Sequence, residues 1–157
     1  MKNTLTLLIV GIFILSVSLA YGHGDHSVPG ALPPAPHGGI IKEADHAGKD
    51  EHEGKEEETE LFFEAVYKNM SISLYPLTIL PNNTNMFKGL SASKDLSKVN
   101  LKIEIPRLKK TESVQVKILE DSITASFDPK KANRFIIHVT AEYQKEVKTA
   151  KIQVENN

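Results

Sequence analysis

No cysteine occurs in the 157 residues, which removes disulfides, thiolate metal sites, a cysteine nucleophile and a lipid-bearing N-terminal cysteine together. Tryptophan is also absent and aromatic residues make up only 6% of the chain. Beyond the N-terminus no apolar run approaches the roughly 20 residues of a spanning helix. The common catalytic strings are missing as well: there is no glycine-rich phosphate loop, no G-x-S-x-G and no H-E-x-x-H. No pair of carboxylates is placed by the strand pattern in one cleft, so the expectation is a binding protein and not an enzyme.

What is present begins with an export signal. Lys2 supplies a positive start, Leu5 to Leu15 is an apolar run short of a membrane span, and small residues follow at Ser16, Ser18, Ala20 and Gly22. Cleavage after Ala20 or after Gly22 fits equally, giving a signal peptide over 1–22 and a mature protein of the periplasm or secreted medium, with no membrane insertion after cleavage.

Charge is segregated along the remainder. Between His23 and Glu60 there are ten acidic residues against three lysines, whereas Leu61 onward carries fifteen Lys and Arg against ten Asp and Glu. An acidic arm on a mildly basic domain suits cation capture or contact between arm and domain; nucleic acid would call for a basic, aromatic-bearing surface. The arm holds Pro29, Pro33, Pro34, Pro36 and the Gly38-Gly39 pair with almost no apolar periodicity. Such a stretch cannot bury enough surface to offset its ordering entropy, so 23–60 reads as a disordered His- and acid-rich leader, with Ile40 and Ile41 as its point of attachment.

From Leu61 the texture changes to period-2 alternation bounded by turn residues. Leu61, Phe63, Ala65 and Tyr67 alternate up to Lys68-Asn69, a turn candidate, and Met70, Ile72 and Leu74 resume beyond it. Pro76 to Asn85 reads as loop. Val99, Leu101, Ile103 and Ile105 form the cleanest strand, and Val114, Val116 and Ile118 repeat the pattern. After a Glu120-Asp121 turn come Ile123, Ala125 and Phe127, then Phe135, Ile137, Val139 and Ala141, then Ala150, Ile152 and Val154. About seven strands with no helix after the signal predict an all-β fold over 61–157, a small antiparallel β-sandwich of immunoglobulin-like size, with a small barrel as the alternative. This segment is expected to fold by itself.

Five of the six histidines, His23, His26, His37, His46 and His52, fall in the leader among carboxylates such as Asp25. Imidazole with carboxylate suits divalent Cu, Zn, Ni or Co, and these six residues are the candidate metal ligands. The terminus sharpens the reading. A cut after Ala20 leaves Tyr21-Gly22-His23, whose amine, amides and imidazole can hold Cu²⁺ or Ni²⁺ in a square plane; a cut after Gly22 leaves the amine and imidazole of His23. Because a ligating histidine must be neutral, affinity should fall as pH drops through about 6.5. The competing reading is a solvated tether with incidental histidines. The sixth, His138, should point outward from its strand between Ile136 and Thr140.

The string Ala35-Pro36-His37-Gly38-Gly39-Ile40-Ile41, followed by Glu60-Leu61-Phe62-Phe63-Glu64-Ala65-Val66-Tyr67 and Ile72-Ser73-Leu74-Tyr75, resembles periplasmic heavy-metal efflux-associated proteins with a Pro-His-Gly-Gly motif and an immunoglobulin-like β-domain. This chain departs from that pattern by the acidic insert Asp45 to Glu58. The resemblance implies a β-sandwich and metal handling beside an efflux system, with an efflux adaptor or other envelope protein as partner and no particular ion. The expectation is therefore a periplasmic divalent transition-metal-binding accessory protein; the alternative is a structural or interaction module whose leader is only a tether.

Overall fold

Alternating apolar and polar residues give a strand one face to bury and one to leave wet, and most of the alternation in this chain is spent that way. The computed structural model describes residues 32–47, 60–80, 83–130 and 132–156. Its strands are β1 (Ile40–Glu43), β2 (Asp45–His46), β3 (Phe62–Lys68), β4 (Ser71–Leu80), β5 (Asn83–Gly89), β6 (Leu96–Ile105), β7 (Lys110–Val114), β8 (Lys117–Ile118), β9 (Ile123–Ser126), β10 (Arg134–Tyr143) and β11 (Glu146–Glu155). A four-residue helix, α1 (Ala92–Asp95), and a 3-10 turn at Pro106–Leu108 complete the described elements. The signal-peptide reading and His23, Asp25, His26 and His52 fall outside the described residues. No helix among the described residues is long and apolar enough to cross a membrane.

The strands form two antiparallel sheets. One runs β1-β3-β4-β9-β8, with β5 lying beyond β9 on the same edge of β4; the other runs β2-β11-β10-β6-β7. Between them Phe63, Ala65, Ile72, Leu74, Ile123 and Ala125 from the first sheet meet Leu101, Ile103, Ile105, Phe135, Ile137, Val139, Ala150 and Ile152 from the second. This is the expected β-sandwich. Ile103 is fully buried while its neighbour Lys102 is exposed. Ile103→Asp is therefore expected to cost about 3–5 kcal/mol by burying a carboxylate, and Lys102→Asp almost nothing, as measured by denaturant unfolding.

Two hairpins close through left-handed residue pairs, Asn69-Met70 (φ 53° and 56°) and Gln144-Lys145 (φ 51° and 68°), the mirror-image turns whose twist matches that of the strands. The first turn lies one residue later than Lys68-Asn69, because Lys68 still pairs with Ser71. Lys98 (φ 49°) sits where the β6–β10 register shifts, a bulge that absorbs one extra residue.

Three sequence expectations change. The stretch Pro76 to Asn85 is mostly strand, since β4 continues to Leu80 and β5 starts at Asn83. Val114 to Ile118 is not one strand: β7 ends in one sheet and β8 begins in the other. Finally, the compact unit spans Leu32–Asn157, so it starts well before Leu61, and residues 32–47 of the leader are part of it. β1 pairs with β3 from Ile40↔Ala65 to Glu43↔Phe62, Ala44 turns into the core, and β2 pairs with β11 at His46↔Lys148 and Asp45↔Thr149. Backbone hydrogen bonds make this attachment more than apolar burial does: Ile40 itself is exposed.

Candidate functional site

Strand β3 should show its second face to water, yet Phe62 and Glu64 on that face are as buried as Phe63 on the core side. Phe62 is covered by Phe87 of β5 in an edge-to-face contact, with ring centroids 5.2 Å apart. Glu64 is covered by the Pro-His-Gly-Gly loop. Pro36 enters a turn closed by the Gly38 N–H on the Ala35 carbonyl at 3.2 Å, a position for which the fixed φ of proline is suited. That turn aims two backbone donors at one carboxylate oxygen: the N–H groups of His37 and Gly39 each reach Glu64 Oε1 at 2.8 Å.

The second carboxylate oxygen holds the imidazole, with His37 Nδ1 2.8 Å from Glu64 Oε2. The ring lies flat on Tyr75, centroids 3.8 Å apart and planes 12° from parallel. Tyr75 is the cross-strand partner of Glu64, so one rung of the β3–β4 ladder supplies both the acceptor and the stacking platform. The close approach demands glycine: a Cβ on Gly39 would stand 2.4 Å from the Ala65 carbonyl oxygen, and Gly38 takes φ +73°. Glu64 has no exposed side-chain surface, while the His37 side chain keeps 43%. Three donors on one buried carboxylate satisfy the rule that buried charge must be hydrogen-bonded.

His37 borders a cavity of about 380 Å³ with Tyr75, Leu77 and Leu90 along its wall and Glu120 and Asp121 from the β8–β9 turn at its side. With Nδ1 committed to the carboxylate, Nε2 is the ring nitrogen left to meet a ligand.

His46, the other leader histidine among the described residues, is on the opposite sheet. The Lys148 ammonium, its side chain 6% exposed, donates to His46 Nε2 at 2.8 Å, and Glu146 Oε2 lies 3.1 Å from both His46 Nδ1 and Lys148 Nζ. A metal cation at His46 would have to displace that ammonium. His37 and His46 are thus not brought together, because the chain crosses from sheet to sheet at Ala44 between them. Among the described residues no three His, Asp or Glu side chains are grouped to hold a metal ion. His138 lies on the outer face of β10, as its strand position predicts, with Nε2 2.8 Å from Glu104 Oε2.

Two carboxylates near these elements titrate in opposite directions. Burial, then the charges of Glu60 and Asp45, push Glu43 above the ordinary 4.5, whereas the hydrogen bond from Lys98 holds Glu142 below it. A raised carboxyl favours the fold only while protonated, so its contribution is lost as pH rises through the folded value; a depressed one contributes above its unfolded value and is lost as pH falls. Calorimetric melts should show Glu43→Gln slightly more stable than the native protein at neutral pH, and Glu142→Gln slightly less stable. Both differences should vanish once the pH is low enough to protonate the native side chains.

No protein-family model, curated protein or solved structure matches this chain.

Proposed function

We propose that this protein is a periplasmic accessory protein that binds a divalent transition metal, beside a heavy-metal efflux system. The observation that carries the reading is the His37–Glu64 pair. Metal-ligating histidines generally give their other ring nitrogen to a carboxylate or carbonyl, which fixes the tautomer and raises the basicity of the ligating nitrogen. His37 has that arrangement, with Nδ1 on a buried carboxylate and a part-exposed ring. Glu120 and Asp121 line the same cavity as His37 and are oxygen donors; His23, Asp25, His26 and His52 of the arm are further candidate ligands by residue type. The donor set fits Cu, Zn, Ni or Co without choosing among them. Metal is the cargo in this reading and not a structural cofactor.

A second reading, an interaction module with a charged tether, draws on the structural use of both histidines: His46 is engaged by Lys148 and Glu146, and His37 closes a loop over Glu64. Calorimetric titration of the full chain with Cu²⁺, Zn²⁺ and Ni²⁺ separates the two. The metal reading expects binding that His37→Ala weakens at least about tenfold, that His46→Ala leaves nearly intact, and that replacing His23, His26, His37, His46 and His52 together abolishes. No binding by the full chain leaves the interaction module standing.

A further inference from the structure

β11 is a ten-residue strand, but its outer neighbour, β2 with Ala47, covers it only from Val147 to Thr149. Which backbone groups are left follows from parity, because alternate residues of an antiparallel strand turn their N–H and C=O to opposite sides. The Asn156 N–H donates to the Asn133 carbonyl at 2.8 Å on the β10 side, and the Val147 carbonyl accepts from the Ala47 N–H at 3.0 Å on the far side. Even-numbered residues therefore serve β10, and odd-numbered ones face outward. Thr149 is taken by β2. Lys151, Gln153 and Glu155 present their backbone donors and acceptors to an edge with which no described strand is paired, although β1 packs beside β11.

An open edge next to a buried core is ordinarily a hazard that charge is placed to block. Here the outward series Lys151, Gln153, Glu155 is complementary in charge to its own reverse. We infer that this edge pairs with the same edge of a second copy of the chain, antiparallel about a twofold axis through Gln153. In that register Lys151 of each copy faces Glu155 of the other, and the two Gln153 amides meet on the axis, each able to donate to the other. Neither Lys151 nor Glu155 is engaged in an ion pair among the described residues. Shifting the register one way requires Thr149, already bonded to β2; shifting it the other way sets Glu155 against Gln153 and leaves Lys151 without a carboxylate. Over Lys151 to Glu155 the Gln153-centred pairing satisfies backbone and charge together, and it ends before Thr149, which β2 holds. It also follows the rule for twofold interfaces, in which one patch is its own complement. The two five-strand sheets would become one continuous sheet across the axis. Buried area at a strand edge is small, so the dimer belongs with the weak, concentration-dependent class. This inference does not depend on metal binding.

The test uses the full chain purified from an expressing bacterium, followed by sedimentation equilibrium from about 10 µM to about 1 mM and by amide hydrogen exchange over the same range. The expected result is a mass rising towards twice the monomer, with protection of the Lys151, Gln153 and Glu155 amides rising in step. Lys151→Glu places two carboxylates against two carboxylates and Glu155→Lys two ammonium groups against two, so each should raise the dissociation constant at least about tenfold. Mixing the two variants restores both opposite-charge pairs, and the mixture should dimerise like the native protein, a recovery that a merely misfolded variant cannot give. A native protein that stays monomeric throughout overturns the inference, as does a dimer indifferent to both reversals. Protection of the three amides that is already complete at the lowest concentration also overturns it, because the occupant would then be another segment or partner.

Discussion

A chain shortened to residues 61–157 is expected to be far less stable than one beginning at Leu32, and to be largely unfolded at room temperature if the native domain lies at the low end of the usual range. The deletion removes the four-pair β1–β3 ladder, the β2 pairing with β11, and Ala44 from the core. It also strips three hydrogen bonds from Glu64 and uncovers the face of β3 on which Glu64 stands. Hydrogen bonds to a charged group contribute about 1.5–3 kcal/mol each and neutral ones about 1, so the loss should exceed about 5 kcal/mol, against a total of roughly 5–15 for a domain. Circular dichroism melts of the two lengths check this. Equal melting temperatures would mean that residues 32–60 only decorate a sandwich complete without them.

The second large effect belongs to Glu64 and distinguishes its chemistry from its shape. Glu64→Leu leaves the His37 and Gly39 N–H groups facing a methyl group in a closed space, and should cost about 3–5 kcal/mol, or roughly 10–20 °C in the thermal midpoint. Glu64→Gln should cost far less. Its amide oxygen can accept both N–H donors as Oε1 does, and its amide nitrogen can donate to His37 Nδ1. That last bond has a consequence for ligand binding: an Nδ1 that accepts obliges the ring proton to sit on Nε2, which then has no lone pair for a metal. Glu64→Gln should therefore melt close to the native protein yet bind divalent transition metal about 10–100-fold more weakly. If affinity is unchanged in a folded Glu64→Gln protein, His37 is a loop fastener and not a ligand.

Strands β6, β10 and β11 are legible in the sequence because each alternates cleanly for several residues and the chain has no competing helical period there. The hairpin β3–β4 is legible for the same reason, to within one residue of its turn. β1 and β2 are not legible, since hydrogen bonds to β3 and β11 hold them and not an apolar stripe that a periodicity would reveal. The Lys98 bulge and the sheet change after Val114 leave equally little trace, as neither uses glycine or proline.

For the site, His37 and the Pro-His-Gly-Gly string stand out in the sequence, but the residue that organises them does not. A signal for Glu64 exists nonetheless: it is the one charged residue in Phe62-Phe63-Glu64-Ala65-Val66, and Phe62 shares its face, so that face must be covered by something. The sequence cannot say by what, because the covering loop lies 27 positions away from Glu64 and periodicity carries no information about pairing. His37 and His46, grouped by their spacing, are parted by a corner at Ala44 that only the fold exposes.

That corner also sets the terms on which the acidic insert is carried. The Ala44 N–H bonds the Leu61 carbonyl at 2.8 Å, so the described residues on either side of the acidic insert are held together. A segment whose two ends are already held together is nearly free of the thermodynamics of the domain that bears it: doubling its length costs only about 0.6 kcal/mol in closure entropy. Changes in length and composition between residues 48 and 59 should accordingly cost the fold little, so histidines and carboxylates can be gained or lost there by simple drift while the sandwich stays the same.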